Sequence, residues 1–322
     1  MAIYTKLDEG KINFILSNYE LGNVKNFEGI KEGIENTNYS VETDKGKYIL
    51  TIYEKRVNSK DLPFFSRLML GLSNKNFICP KPISNKNNEY ISNFENKKLM
   101  IVSYLEGRSK KNLSPPDCKI IGRESARLHQ ITKNFNFKRE NNLSVKSWRK
   151  IFDQVKDKCS QIHPDLPVLI EGNLNDVEKD WPNSLPNGII HADLFNDNIF
   201  FKKNKFSGFI DFYFSCNDFY AFEIAICFNA LCFEGIKENL SFNVTKAKKF
   251  MEGYNEIRKI SDDEKKSIKV LSQGAALRFL LTRVFDYINI VDGAVVKIKD
   301  PIEYLKRLEF HKNAKSYEDY LL

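Results

Sequence analysis

The run His191-Ala192-Asp193-Leu194-Phe195-Asn196-Asp197-Asn198, with Phe209-Ile210-Asp211-Phe212 close behind it, decides how this chain is read. It has the form H-x-D-x-x-x-x-N, and thirteen residues after the Asn an Asp closes an apolar run. Phosphoryl transfer from ATP uses this set of groups. One carboxylate accepts the proton of the attacking hydroxyl, while an amide oxygen and a second carboxylate hold Mg²⁺ on the nucleotide phosphates. Hard oxygen donors suit Mg²⁺, which keeps several waters and takes one or two carboxylates from a protein. Gly188-Ile189-Ile190, Ile199-Phe200-Phe201 and Phe209-Ile210 flank the polar residues and read as short buried strands that fix the loop. A polar turn between strands also favours Asp and Asn, but it requires neither a His nor a distant second carboxylate. His191 reads as a structural hydrogen-bonder, because the transfer needs a carboxylate base.

Working outward, the 322 residues suffice for a large core and suggest two domains or lobes. Hydrophobic content of 42% and aromatic content of 13% fit a folded globular chain. The 50 Lys and Arg exceed the 42 Asp and Glu by eight, with no basic run interleaved with aromatics, so no nucleic-acid partner is expected. None of the six cysteines forms C-x-x-C or a zinc-type cluster, and their apolar flanks point to buried free thiols in a reducing compartment. No signal core and no apolar run near the ~20 residues of a membrane span are seen. The expectation is a cytoplasmic protein with no membrane partner.

Strand patterns gather in the first third. Ser40–Tyr53 is a hairpin turning at Asp44-Lys45-Gly46, and Lys98–Leu105 is a buried strand closed by Glu106-Gly107. Helical periodicity covers 7–19, 62–74, 116–132, 145–161, 169–180, 220–233, 244–257 and 262–289. The fold class is therefore α+β: a small antiparallel β-rich N-lobe over 1–103 and a larger, mostly helical C-lobe over 104–322, hinged near 103–107.

Three segments carry a family resemblance: Gly33 to Tyr39, the Gly122 to His129 helix and the His191 to Asp211 block. The chain is similar to the kinase-like phosphotransferases that include aminoglycoside phosphotransferases, choline kinases and homoserine kinases. Gly33-Ile34-Glu35-Asn36-Thr37-Asn38-Tyr39, Tyr48 to Glu54, Ile210 to Asp218 and Gly274 to Arg283 resemble the homoserine kinase branch most. The resemblance implies a two-lobed protein-kinase-like fold and ATP- and Mg²⁺-dependent phosphorylation of L-homoserine in threonine biosynthesis. It implies Asp193 as catalytic base and Asn198 and Asp211 as Mg²⁺ ligands. Gly33, Asn36 and Asn38 fall in the phosphate-covering loop. Asn tolerates left-handed backbone, which leaves N–H groups to face phosphate. Val102 and Tyr104 fall in the hinge strand against which an adenine lies.

One departure stands out. The third strand of the wider superfamily carries a Lys on the nucleotide phosphates, and Thr51 stands at that place here. Lys47 shares its face of the strand, but four residues is ~13 Å, too far to substitute. On the Gly274 to Arg283 helix, Arg278 and Arg283 lie in an apolar stretch where a buried Arg needs a partner. A substrate carboxylate is one such partner, and a structural ion pair such as Arg283 with Asp286 is the other. Asp218 and Glu223 are the candidates for a substrate ammonium, with helix capping the alternative for Asp218. The rival functions are a kinase for an aminoglycoside, choline or a sugar, and a non-catalytic nucleotide-binding regulator.

Overall fold

A computed structural model describes residues 4–30, 36–54, 57–235, 239–289 and 299–322. The chain divides into two compact units, one within Met1–Arg108 and Phe200–Tyr213, the other within Ser109–Ile199, Phe214–Val291 and Ile298–Leu322.

The first unit is built on an antiparallel sheet. Helix α1 (Glu9–Leu16) opens it, with Asp8 accepting from the Lys11 N–H at 2.8 Å as N-cap. Strands β1 (Val24–Ile30), β2 (Thr37–Thr43) and β3 (Gly46–Tyr53) follow, then helix α2 (Leu62–Asn74) with Pro63 in its first turn. Strands β4 (Pro82–Ile83), β5 (Ser92–Phe94) and β6 (Lys97–Ser103) complete the sheet in the order β1-β2-β3-β6-β4, with β5 also on β6. Period-two alternation sends Thr37, Tyr39, Val41 and Thr43 of β2 to the buried face. There they meet Ile12, Ile15 and Leu16 of α1 with Leu50, Ile52, Leu99 and Ile101. The register sets Asn38 opposite Thr51 and Ile49 opposite Val102.

The chain returns to this unit over Phe200–Tyr213, a return that a single break after residue 103 leaves out. The cause is aromatic packing. Phe209 sits 5.8 Å from Phe77, its N–H donates to the Ile78 carbonyl at 3.3 Å, and Tyr213 lies edge-on to both Tyr53 and Phe65.

The second unit is mainly helical: α3 (Pro115–Thr132), α4 (Val145–Asp153), α5 (Leu166–Asp180), α6 (Tyr220–Leu231), α7 (Val244–Ile257), α8 (Asp262–Ile288) and α9 (Glu303–Asn313). Capping boxes at Ser114/Asp117 and Ser261/Glu264 start α3 and α8. Helix α5 begins before the expected Leu169 because Pro167 occupies the first turn, where it costs no hydrogen bond. Helix α4 stops at Asp153, and a 3₁₀ stretch over Lys156–Gln161 replaces its expected end. Helix α9 was not expected at all. Its buried face is Tyr304, Arg307, Leu308 and His311, so half of the inward positions are polar and the apolar period is hidden. All six cysteines are buried free thiols, and among the described residues no helix is long and apolar enough to cross a membrane.

Candidate active site

The His191–Asn198 loop lies in the second unit, with a strand on either side of it. Strand Asn187–Ile190 pairs antiparallel with Cys216–Phe219, and Ile189 and Ile190 are buried. On the far side a 3₁₀ turn at Asn196–Asn198 runs into strand Ile199–Lys202, with Leu194 and Ile199 fully buried. Buried apolar anchors on both flanks leave the polar residues between them little freedom.

Ala192 has φ +65°, a left-handed conformation that disfavours a side chain by ~1–2 kcal/mol. Two charges offset that cost. The Glu223 carboxylate accepts from the Ala192 N–H at 3.0 and 3.2 Å and from the His191 N–H. The Arg278 Nη1 donates to the Ala192 carbonyl at 2.6 Å. Glu223 is 0% exposed and Arg278 2%; the Glu223 bonds go to the loop's backbone, while Arg278 gives the loop its Nη1 and its buried Nε has no partner among the described residues. Sequence alone offers both to substrate; the bonds seen here aim them at a strained peptide. Burial pushes the Glu223 carboxyl up to about 7, against the pull of the two N–H groups and Arg278. His191 is fully buried at the same joint, where its backbone N–H donates to Glu223 and its carbonyl accepts from Ser215 at 3.4 Å.

Asp193, the next residue, is half-buried. The Asn198 Nδ2 donates to its carbonyl at 2.8 Å and to its Oδ2 at 3.1 Å, so the amide oxygen of Asn198 is turned away from those two bonds. Burial raises the Asp193 carboxyl to about 6, while Arg278, Lys299 and the Asn198 bond pull it down. A carboxylate in that range is basic enough to take a proton and still ionised at neutral pH.

Asp211 belongs to the first unit, exposed and at φ +61° just past strand Lys205–Phe209. Two residues on, the Tyr213 ring is fixed edge-on between Tyr53 at 5.2 Å and Phe65 at 5.6 Å. Its hydroxyl bonds to those of Tyr53 and Thr51, and Thr51 also donates to Asn38 Oδ1 at 2.8 Å. Burial pushes the Tyr213 phenol up to about 12, with Asp211 adding to the rise. Thr51 thus stands among neutral hydroxyls and one amide, with the Asp211 charge felt at Tyr53 and Tyr213. Tyr53 and Tyr213 were not singled out from the sequence, though the motif Asp211-Phe212-Tyr213 put the second in plain view.

Among the other expected residues, Asn36 is buried and its Oδ1 accepts from the Glu54 N–H at 3.4 Å. Gly33 lies outside the described residues. Val102 is buried in β6, and Tyr104 is exposed with its N–H on the Lys47 carbonyl at 3.1 Å. Asp218 accepts from Asn141 at 2.6 Å and from the Phe219 N–H at 2.7 Å. Arg283 pairs with Glu303 at 2.9 Å, bonds the Asp300 carbonyl at 2.9 Å and stacks on Tyr304 at 4.5 Å.

Each unit carries a hard oxygen donor of the type Mg²⁺ takes, the Asn198 amide in the second and the exposed Asp211 carboxylate in the first. Among the described residues no three His, Cys, Asp or Glu side chains cluster as a metal site of their own. An amide oxygen and an exposed carboxylate suit a cation that draws its remaining ligands from phosphate and water.

The profile of the phosphotransferase enzyme family matches residues 26–240. The chain is 42% identical to the homoserine kinase of Mesorhizobium japonicum, over 99% of each chain. It is 44% identical to that of Xanthobacter autotrophicus, again over 99% of each. In fold it is similar to an amicoumacin kinase in complex with AMP-PNP and Ca²⁺, at TM-score 0.71 and 13% identity over 97% of this chain and 95% of that one. The choline kinase of Cryptosporidium parvum superposes at TM-score 0.67 with 18% identity over 95% and 94%. The α+β organisation is thus that of the two-lobed kinase-like fold, and the chain belongs to the phosphotransferase enzyme family, in the branch whose curated relatives are homoserine kinases.

Proposed function

We propose that this protein transfers the γ-phosphoryl group of ATP to the side-chain hydroxyl of L-homoserine, giving O-phospho-L-homoserine and ADP, a step of threonine biosynthesis in the cytoplasm. The observation that carries the reading is the clamped loop. Asp193 follows a left-handed residue pinned by Glu223 and Arg278, and Asn198 holds its carboxylate. End-to-end identity of 42–44% to homoserine kinases supports the acceptor.

In the reaction the homoserine hydroxyl oxygen forms a bond to the γ-phosphorus as the bond from that phosphorus to the β,γ-bridging oxygen breaks. The Asp193 carboxylate takes the hydroxyl proton and later releases it to solvent. Asn198 and Asp211 would hold Mg²⁺, which supplies charge neutralisation on the β- and γ-phosphates when bound. Arg278 and Glu223 act through the backbone, keeping Asp193 at one position so that attack is in line. Asn36, Asn38 and Thr51, with Gly33, serve the phosphates; the backbone of Val102 and Tyr104 reads the adenine. In this division residues 1–103 cover the nucleotide and 104–322 supply base and acceptor site.

The test is an acceptor panel with the full chain, ATP and Mg²⁺, followed by ³¹P NMR of the product. Homoserine should give a phosphomonoester at its side-chain oxygen. Turnover of choline, an aminoglycoside or a sugar with none of homoserine would overturn the acceptor. Nucleotide binding with no transfer to any alcohol would favour the regulator reading.

A further inference from the structure

Beside the catalytic loop, within the second unit, lies a hollow of ≈ 500 Å³ that none of the roles above uses. The loop itself forms one wall, through Phe195, Asn196 and Asp197; Arg283 of α8, Lys299, and Glu303 and Arg307 of α9 form the other. The size is in the range of small-ligand sites. Its charge is unusual. Five basic side chains and two carboxylates line it; one of the five, Lys110, is paired at 2.7 Å with Asp117 outside the hollow, and one of the two carboxylates, Glu303, is already shared: Arg283 and Arg307 both bond it at 2.9 Å. Burial opposes ionisation of Glu303, yet Arg307 and Arg283 hold it below the usual range, so this triad keeps one net positive charge. Among the described residues Arg283 spends only its Nη1 on protein acceptors, which leaves its other donors for a ligand.

The second carboxylate is only loosely held. Lys299 Nζ stands 3.6 Å from Asp197 Oδ2, beyond a good hydrogen bond, and both side chains are about half exposed or more. Lys299 also rests over the Phe195 ring at 5.1 Å, and its charge reaches Asp193, so the hollow adjoins the base. A ligand carrying an anionic and a cationic group on one carbon can insert into such a pair and satisfy both ends.

We propose that this hollow receives the zwitterionic head of the acceptor, an α-amino acid. Arg283 and Lys299 take the α-carboxylate, and Asp197 takes the α-ammonium. The inference rests on the amino-acid kinase reading and deepens it, because the same excess of basic groups repels wholly cationic acceptors such as choline or a polyamine. A charged hydrogen bond lost from such a site is worth about tenfold or more in binding.

The experiment uses the full chain at pH 8. Acceptors are L-homoserine, 3-aminopropan-1-ol, which lacks the carboxylate, and 4-hydroxybutyrate, which lacks the ammonium. Lys299→Met should raise KM for homoserine about tenfold or more, with a much smaller change in kcat, while KM for 3-aminopropan-1-ol stays put. Lys299→Arg should recover most of the loss, and Asp197→Asn should narrow the preference for homoserine over 4-hydroxybutyrate. KM for ATP should not follow either change. If the wild type phosphorylates homoserine but Lys299→Met and Asp197→Asn leave its KM within twofold, the hollow is not the acceptor site. If the wild type does not phosphorylate homoserine, the amino-acid kinase reading fails first.

Discussion

At the scale of single residues, the decisive event is the pinning of one strained alanine. Ala192 adopts a left-handed backbone because Glu223 accepts from its N–H while Arg278 donates to its carbonyl, and Asp193 is aimed by that peptide. Asp193→Asn keeps the volume and the Asn198 contact but removes the proton acceptor. It should lower kcat by about 10²–10⁴ with little change in the thermal midpoint, read by steady-state assay beside differential scanning calorimetry. Activity within tenfold of wild type would remove Asp193 from the chemistry. In the first unit, Tyr213→Phe leaves the edge-on stacking with Tyr53 and Phe65 intact and deletes only the hydroxyl bonded to Thr51 and Tyr53. Because Tyr213 lies two residues from Asp211 and beside Thr51, KM for ATP should rise severalfold while KM for homoserine does not move. Equal shifts in both constants would count against that assignment. The absent strand Lys was legible at Thr51; the phenols standing around it were not, because nothing in a linear pattern says which rings meet across 160 residues.

Among the elements, α3 and α7 approach each other closely at two glycines. A β-carbon at Gly122 would lie 2.0 Å from the Phe250 carbonyl oxygen, and one at Gly253 would lie 1.9 Å from that of Lys119. Backbone cannot yield as a flexible side chain does, so the two helices cross only because both positions are glycine. Gly122→Ala should therefore destabilise the fold by ~2–3 kcal/mol despite its better helix propensity, measured as a lower urea midpoint. A midpoint equal to or above the wild type's would mean that the helices part without cost. Gly122 could be read as part of a family-like helix, but its reason for being glycine lies on another helix. Helix α9 teaches the same lesson in reverse: Arg307 and His311 face inward because Asn229 offers them its carbonyl at 3.1 Å and its side-chain oxygen at 3.0 Å.

For the whole molecule, buried ionisable groups set how stability responds to acid. His311 bonds Tyr320 and Asn229, His129 bonds Tyr254, and both are buried. Burial holds both rings neutral, His311 down to about 3 and His129 well below the usual value. Above pH ~6.5 folded and unfolded chains are alike in charge at these sites. As pH falls the unfolded chain takes up protons that the folded one refuses, so stability is lost at both sites, by about 2 kcal/mol at pH 5 for His311. Glu223 and Asp193 act in the opposite sense, since their raised values make the folded chain the first to bind protons on the way down. The informative quantity is thus a difference between variants. The stability gap between wild type and His311→Gln should shrink by about 2 kcal/mol between pH 8 and pH 5 in urea titrations; a constant gap would mean that His311 titrates in the folded state. The sequence by itself determined the catalytic loop, the hairpin and most helices, because spacing within a few residues and periods of 2 or 3.6 are local consequences of covalent geometry. Only the tertiary structure decided that Arg278 and Glu223 serve a backbone peptide, that Arg283 borders a basic hollow, and that Lys299 and Asp197 join it. A charged side chain takes the partner that packing brings within about 4 Å, and for Arg278 and Arg283 those partners lie 86 and 20 residues away along the chain.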